Sequence, residues 1–324
     1  MDVNEILRGV DCACGKRHEC DIEHVYIERG AIARLSELCE KYERILLVAD
    51  ENTYGAAGEA VKAAVGTKIA KEVIFSGKTI LIPDEVAIER VRKELDAIDL
   101  IVGVGSGVIQ DLSKYVSFFS KIPYMIVATA PSMDGYASTG AAMILKGMKE
   151  TVPAGLPRAI VADTEVLRNA PIDMIKAGYG DIIGKYSALN DWKLSAAVNG
   201  EYFCQYIYDV TYKMIENTLE TAEGLLKREE ASVKAIMEAL VIVGIMMSFA
   251  GSSRPASGSE HHLSHFFELV GIVNDEFYFT HGIDVAYSTV ITAEVRELIL
   301  RNSFPEDRYG MPRWAYEEEE VSPA

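Results

Sequence analysis

The stretch Leu100-Ile-Val-Gly-Val-Gly-Ser-Gly-Val-Ile-Gln-Asp-Leu-Ser-Lys114 decides the fold. Leu100 to Val104 is a short continuous apolar run, the pattern of a strand buried on both faces. Gly103-Val-Gly-Ser-Gly107 closes it and opens an amphipathic stretch from Gly107 to Phe119. A glycine-rich turn between strand and helix leaves backbone N–H groups and the positive end of the helix dipole facing a ligand, which suits a phosphate. The same residues also make an ordinary tight turn. Asp111 and Lys114 follow on the predicted helix.

Outward from that stretch the pattern repeats. Ile45-Leu-Leu-Val-Ala49 and Tyr124-Met-Ile-Val-Ala128 are further apolar runs, and amphipathic segments at 31–42 and 83–95 alternate with them. Such alternation predicts a Rossmann-like α/β unit with a mostly parallel sheet covered by helices. A hairpin is expected at 141–152 and a last strand at 159–162. Open sheets of this kind bind ligands at the carboxyl ends of their strands. Asp50, at one such end, is placed to accept from a ribose hydroxyl or to cap the next helix. Thr129-Ala-Pro-Ser132 offers hydroxyls for a cofactor or simply turns the chain. Asp134, in Met133-Asp-Gly-Tyr-Ala-Ser138, suits a substrate hydroxyl or an Asx-turn. After Asp163 the texture becomes helical, at 172–199, 206–224, 228–250, 259–270 and 282–300. Two domains are expected, a nucleotide-binding α/β domain at 1–163 and an all-α metal- and substrate-binding domain at 164–324. The end of the chain, with Glu317 to Glu320, reads as loose surface chain.

Acidic residues outnumber basic ones, 49 to 32, for a net charge of −17. That balance argues against nucleic acid or an anionic membrane as partner. The first residues carry no apolar core of a secretory signal. The most apolar segment, 235–250, is interrupted by Glu238 and reads as a buried helix too short to span a bilayer. A cytoplasmic location is expected. Five cysteines, an odd number in a chain expected to be cytosolic, argue against a disulfide framework. Cys12, Cys14 and Cys20 cluster around His18. The pattern touches on a zinc knuckle, but the first pair is spaced more tightly than usual, and a hairpin with free thiols is the preferred reading.

Histidine is concentrated. Four of six lie in one window, His261, His262, His265 and His281. His261 and His265 are four apart and share a helix face, while His262 lies about 100° away. Asp181 offers a carboxylate inside an apolar helical run. One Asp and two His form a three-ligand set with an open position, the layout of a catalytic divalent metal site.

Five motifs occur in order: Gly105-Ser-Gly-Val-Ile-Gln-Asp-Leu-Ser-Lys114, Thr129-Ala-Pro-Ser-Met-Asp-Gly-Tyr-Ala-Ser138, Gly180-Asp-Ile-Ile-Gly-Lys-Tyr186, Arg254-Pro-Ala-Ser-Gly-Ser-Glu-His261 and Thr280-His-Gly282. Together they resemble the sn-glycerol-1-phosphate dehydrogenases, within the superfamily of iron-dependent alcohol dehydrogenases, glycerol dehydrogenase and dehydroquinate synthase. The resemblance implies a dehydroquinate synthase-like fold and reversible reduction of dihydroxyacetone phosphate to sn-glycerol 1-phosphate. It implies one divalent metal, zinc or nickel, on Asp181, His261 and His281. Substrate contacts fall on Asp134 and His265. NAD(H) or NADP(H) contacts fall on Gly105, Ser106, Gly107, Val108, Ile109, Gln110, Asp111, Thr129, Ala130, Pro131, Ser132 and Ser138, with Asp50 selecting the ribose. Arg254 stands seven residues before His261, the spacing of the arginine that grips a phosphonate in dehydroquinate synthases, and is nominated for phosphate. A homodimer is expected, with further helices where this chain has Arg308 to Ala324. Two alternatives stay open: a polyol dehydrogenase or phosphate-eliminating cyclase on the same scaffold, and an inactive nucleotide-binding relative.

Overall fold

The structure, a computed structural model, describes residues 2–274 and 279–302. An N-terminal hairpin pairs β1 (Val10–Asp11) with β2 (Arg17–His18). The strands β3 (His24–Glu28), β4 (Ile45–Asp50), β5 (Ile69–Phe75), β6 (Leu100–Gly105), β7 (Tyr124–Ala128) and β10 (Ala159–Asp163) follow, with a β8 (Gly140–Leu145) and β9 (Met148–Pro153) hairpin before the last. Six of them form a sheet in the order β3-β10-β7-β6-β4-β5, parallel throughout. The longer helices are α1 (Glu85–Arg92), α2 (Gly107–Ser120), α3 (Ile172–Asn199), α4 (Gln205–Leu219), α5 (Glu230–Ala250), α6 (Ser259–Asn274) and α7 (His281–Arg301).

Strand order places the ligand crevice. From β4 the chain moves outward to β5, and from β6 it moves the other way, to β7. β4 and β6 are neighbours, so the topological switch point lies between them, and open α/β sheets bind ligands outside the carboxyl ends at that point. Those ends are Asp50 and Gly105.

The interior strands are the continuous apolar runs of the sequence, and every residue of β6, β7 and β10 is buried. Strands β3 and β5 were not predicted. Both are edge strands with partly exposed faces: β3 alternates buried and more exposed positions, whereas β5 buries only Val73 and Phe75 and carries Lys71 and Glu72 in its middle. The amphipathic segment at 31–42 forms only a 3-10 turn and one helical turn. The helix expected at 206–224 is two, Gln205–Leu219 and Ala222–Leu226. The helix expected at 228–250 is α5, 21 residues; its apolar part was read as too short to span a bilayer, yet α5 is the one helix among the described residues long and apolar enough to cross a membrane. Burial of 72% of its most apolar window inside the fold marks it as a core helix. It shares one apolar core with Ile126 and Ile160 of the sheet and Ile182 and Leu189 of α3. Each such side chain stabilises the fold by about 1.5–3 kcal/mol. The expectation for Glu317 to Glu320 falls outside the described residues.

Candidate active site

The turn after β6 leads from Gly105 into α2. Ser106 is the N-cap of α2 and makes no side-chain capping bond. Its hydroxyl is bonded to that of Ser132 instead. Tyr136 donates its hydroxyl to the Ala130 carbonyl at 2.7 Å and lies 3.2 Å from Ser106 Oγ. First-turn N–H groups of α2 are therefore free of side-chain caps and suited to an anion. Ile109, Gln110, Ala130 and Pro131 are buried, and Gln110 Nε2 donates to the Tyr136 carbonyl at 3.1 Å. These four can offer a cofactor only backbone atoms. Gly107, Val108 and Ser138 are half-buried at the same edge, beside Thr129, whose N–H donates to the Gly105 carbonyl at 3.1 Å.

Asp50 caps the short helix after β4, accepting from the N–H of Asn52 and Thr53 at 2.8 and 2.9 Å. Both bonds go to Oδ1, which leaves Oδ2 outside the cap. On α2, burial pushes the Asp111 carboxyl up to about 6, against the pull of Lys114. Lys114 is fully buried and donates to the carbonyls of Gly135 and Gly140 at 2.8 and 2.7 Å, tying down the loop that carries Asp134.

The histidines meet this loop through α3. The helix can approach because Gly178 and Gly180 lack side chains. A Cβ on Gly178 would overlap the Pro131 carbonyl, and one on Gly180 the Gly282 carbonyl at the start of α7. Asp181, one residue on, is thereby pressed against His261 and His281. The ligand atoms of these three lie within 4.8 Å of one another. His261 Nε2 is 3.8 Å from Asp181 Oδ1. Both rings are anchored from behind: His261 Nδ1 donates to Glu260 at 2.8 Å and His281 Nδ1 to Glu268 at 3.0 Å. With each glutamate as the acceptor, the ring carries its proton on Nδ1 and turns a lone pair on Nε2 inward. Burial first, then the charge of Lys185, holds the His261 imidazole well below its ordinary range, neutral and ready to coordinate. One carboxylate and two such imidazoles fit a divalent transition metal.

His265 joins the group, 5.5 Å from the His281 ring and 6.1 Å from that of His261. Burial, with the nearby charge of Lys149, pushes it down to about 3. His262 is exposed on the other side of α6, as its spacing predicts. Asp134 donates its N–H to Asp181 Oδ2 at 2.9 Å.

Three participants were missed in the sequence. Lys185 is fully buried, with Nζ 2.5 Å from Asp181 Oδ1 and 2.7 Å from Asp134 Oδ2. Burial opposes its charge, but the two carboxylates outweigh that and raise its pKa. Its position four residues after Asp181 was the available signal. Glu260 and Glu268 were legible only as neighbours of histidines. Arg254 is not drawn into the cluster's bonding; its guanidinium makes two bonds to Glu201, at 2.7 and 2.5 Å.

Residues 26–171 match the family described as iron-containing alcohol dehydrogenase. The fold is also that of an iron-containing alcohol dehydrogenase from Thermococcus thioreducens, with a TM-score of 0.71 at 17% identity, covering 88% of this chain and 77% of that one. A probable glycerol dehydrogenase from Sinorhizobium meliloti 1021 superposes with a TM-score of 0.67 at 20% identity, over 86% of this chain and 80% of the other. The fold is thus that of the iron-containing alcohol dehydrogenases. In sequence the chain is 34% identical to glycerol-1-phosphate dehydrogenase [NAD(P)+] of Geobacillus stearothermophilus over 295 residues, 87% of this chain and 72% of that one. The chain belongs to the glycerol-1-phosphate dehydrogenase family.

Proposed function

We propose that this protein reduces dihydroxyacetone phosphate to sn-glycerol 1-phosphate with NAD(P)H and one divalent metal, zinc or nickel. The observation that carries the reading is the convergence of Asp181, His261 and His281 on ligand atoms within 4.8 Å, each imidazole backed by a glutamate. These three would hold the metal. The cofactor's phosphates would rest on the uncapped start of α2, with Thr129, Ser132 and Ser138 alongside and Asp50 Oδ2 directed to a ribose hydroxyl. In this reading the nucleotide half is 1–163 and the helical half, 164–324, brings the ligands. When bound, the metal supplies a Lewis acid for the C2 oxygen and the nicotinamide supplies the hydride.

The side chains do the rest. Lys185 is the buried counter-charge that two carboxylates, Asp134 and Asp181, need in a dry site. Asp134 is positioned to accept from a substrate hydroxyl. His265, held neutral, can donate from one ring nitrogen while accepting at the other, and so pass on the proton the C2 oxygen takes up. Arg254 is proposed for the phosphate, where its planar fork can make two charge-assisted bonds. Self-association as a homodimer fits the exposed apolar side chains Phe266, Val290, Leu298 and Leu300 on α6 and α7. The proposed location is the cytoplasm.

The Arg254–Glu201 pair favours one second reading, a dehydrogenase of unphosphorylated polyols. Initial rates of NADH oxidation, after loading with Zn²⁺ or Ni²⁺, separate the two. Dihydroxyacetone phosphate should be turned over and dihydroxyacetone poorly. Arg254→Ala should raise KM for the phosphate ester about ten- to a hundred-fold, the loss of about 1.5–3 kcal/mol. Equal rates on both substrates, or equal weakening by Arg254→Ala, would establish the polyol reading.

A further inference from the structure

A second cluster of ligand atoms lies apart from the proposed active site. Cys12, Cys14 and His18 come from the N-terminal hairpin, and Cys204 arrives from the start of α4, 192 residues after Cys12. Cys12 Sγ is 3.6 Å from Cys204 Sγ. His18 Nε2 is 3.4 Å from Cys14 Sγ and 3.5 Å from Cys204 Sγ. One ligand atom from each of the four residues lies within 4.8 Å of all the others.

These distances discriminate between chemistries. A disulfide would bring two sulfurs to about 2.05 Å, and all five cysteines are free thiols. A tetrahedral zinc with Zn–S of about 2.3 Å and Zn–N of about 2.0–2.1 Å sets its ligands about 3.8 Å apart for two sulfurs and about 3.6 Å for sulfur and nitrogen. The three observed spacings are close to the edges of that tetrahedron.

The local fold explains how so tight a Cys-x-Cys spacing can serve. The Cys12 N–H donates to the Lys16 carbonyl and the Gly15 N–H to the Cys12 carbonyl, each at 3.0 Å. Gly15, at φ +86°, closes the turn that follows the two cysteines. His18 is 2% exposed and stacks on Phe249 of α5, with ring centres 5.3 Å apart. Trp192 Nε1 donates to the Tyr202 carbonyl at 2.7 Å, fixing the approach of Cys204. Cys204 is buried and Cys14 is exposed, so the site is held inside yet open to entry from solvent. Cys20, which shares the sequence cluster, is outside it.

We propose that Cys12, Cys14, His18 and Cys204 bind one structural zinc ion that clamps the N-terminal hairpin to the connection between α3 and α4. Four protein ligands leave no open position, the mark of a structural rather than a catalytic site. Three soft sulfurs select zinc over the hard cations.

The test uses the full chain in two measurements. Metal content is compared among wild type, His261→Ala and Cys14→Ser. The apo protein is then reloaded with Co²⁺, because only a sulfur-ligated cobalt gives an intense thiolate-to-metal charge-transfer band in the near ultraviolet. We expect His261→Ala to keep one zinc per chain and the charge-transfer band. Cys14→Ser, at an exposed position, should fold, lose the band and lose the rise in melting temperature that zinc gives the wild type. A wild-type cobalt spectrum without that band overturns the proposal, and needs no variant to fold. So does a Cys12–Cys204 disulfide found by peptide mapping of the purified chain, or full loss of zinc in His261→Ala.

Discussion

His261 and His262 are adjacent in sequence and opposite in surroundings. His261 is buried against Asp181 and Glu260, whereas His262 is exposed. His261→Ala should abolish metal binding at the Asp181–His261–His281 site and nearly all turnover, leaving only the zinc of the cysteine cluster, and His262→Ala should change neither site, as read by metal analysis and initial rate. Equal damage from both would sink the ligand assignment. At the same scale, Glu268→Gln keeps the shape of the His281 anchor but weakens its acceptor. Such outer partners typically contribute ten- to a hundred-fold in metal affinity or activity, so a drop of about that size in metal affinity is expected. A competition titration with a chelator reads it. An unchanged affinity would mean that the Glu268 contact does not orient His281.

Elements bring these residues together through contacts that tolerate no extra atoms. A Cβ on Gly282, the second residue of α7 and directly after His281, would overlap the Ala177 carbonyl of α3. Gly282→Ala should therefore push α7 away from α3. Overpacking of this kind costs about 1–3 kcal/mol, visible as a lower denaturation midpoint, and should also weaken metal binding. A stable variant with full metal affinity would show that this close packing does not set the site. At the β4 end, Asp50→Gly removes both the cap and the proposed ribose acceptor. The cap alone is worth a few tenths of a kcal/mol against Gly. The informative readout is thus the ratio of kcat/KM for NADH to that for NADPH, expected to move toward NADPH. A constant ratio would reduce Asp50 to a cap.

Much of this molecule is legible in its sequence. The interior strands β4, β6 and β7 stand where the continuous apolar runs predict them, and α3 spans 172–199 as its pattern predicts. The edge strands β3 and β5 were not, because a strand paired on one side keeps polar residues and loses the apolar run. Asp181, His261 and His281 were nominated together, since residue type and motif order carried the signal. Lys185 was passed over because a lysine four residues from an aspartate reads as a surface pair, and only burial makes it a counter-charge. Cys204 left no local trace, for its partners lie at the other end of the chain. At this largest scale the central claim is a specific product. Metal-loaded protein given dihydroxyacetone phosphate and NADH should consume NADH and yield a glycerol phosphate that an sn-glycerol-3-phosphate-specific dehydrogenase leaves untouched. Release of inorganic phosphate, a product that the sn-3-specific enzyme oxidises, or no NADH consumption with either Zn²⁺ or Ni²⁺ would contradict the account.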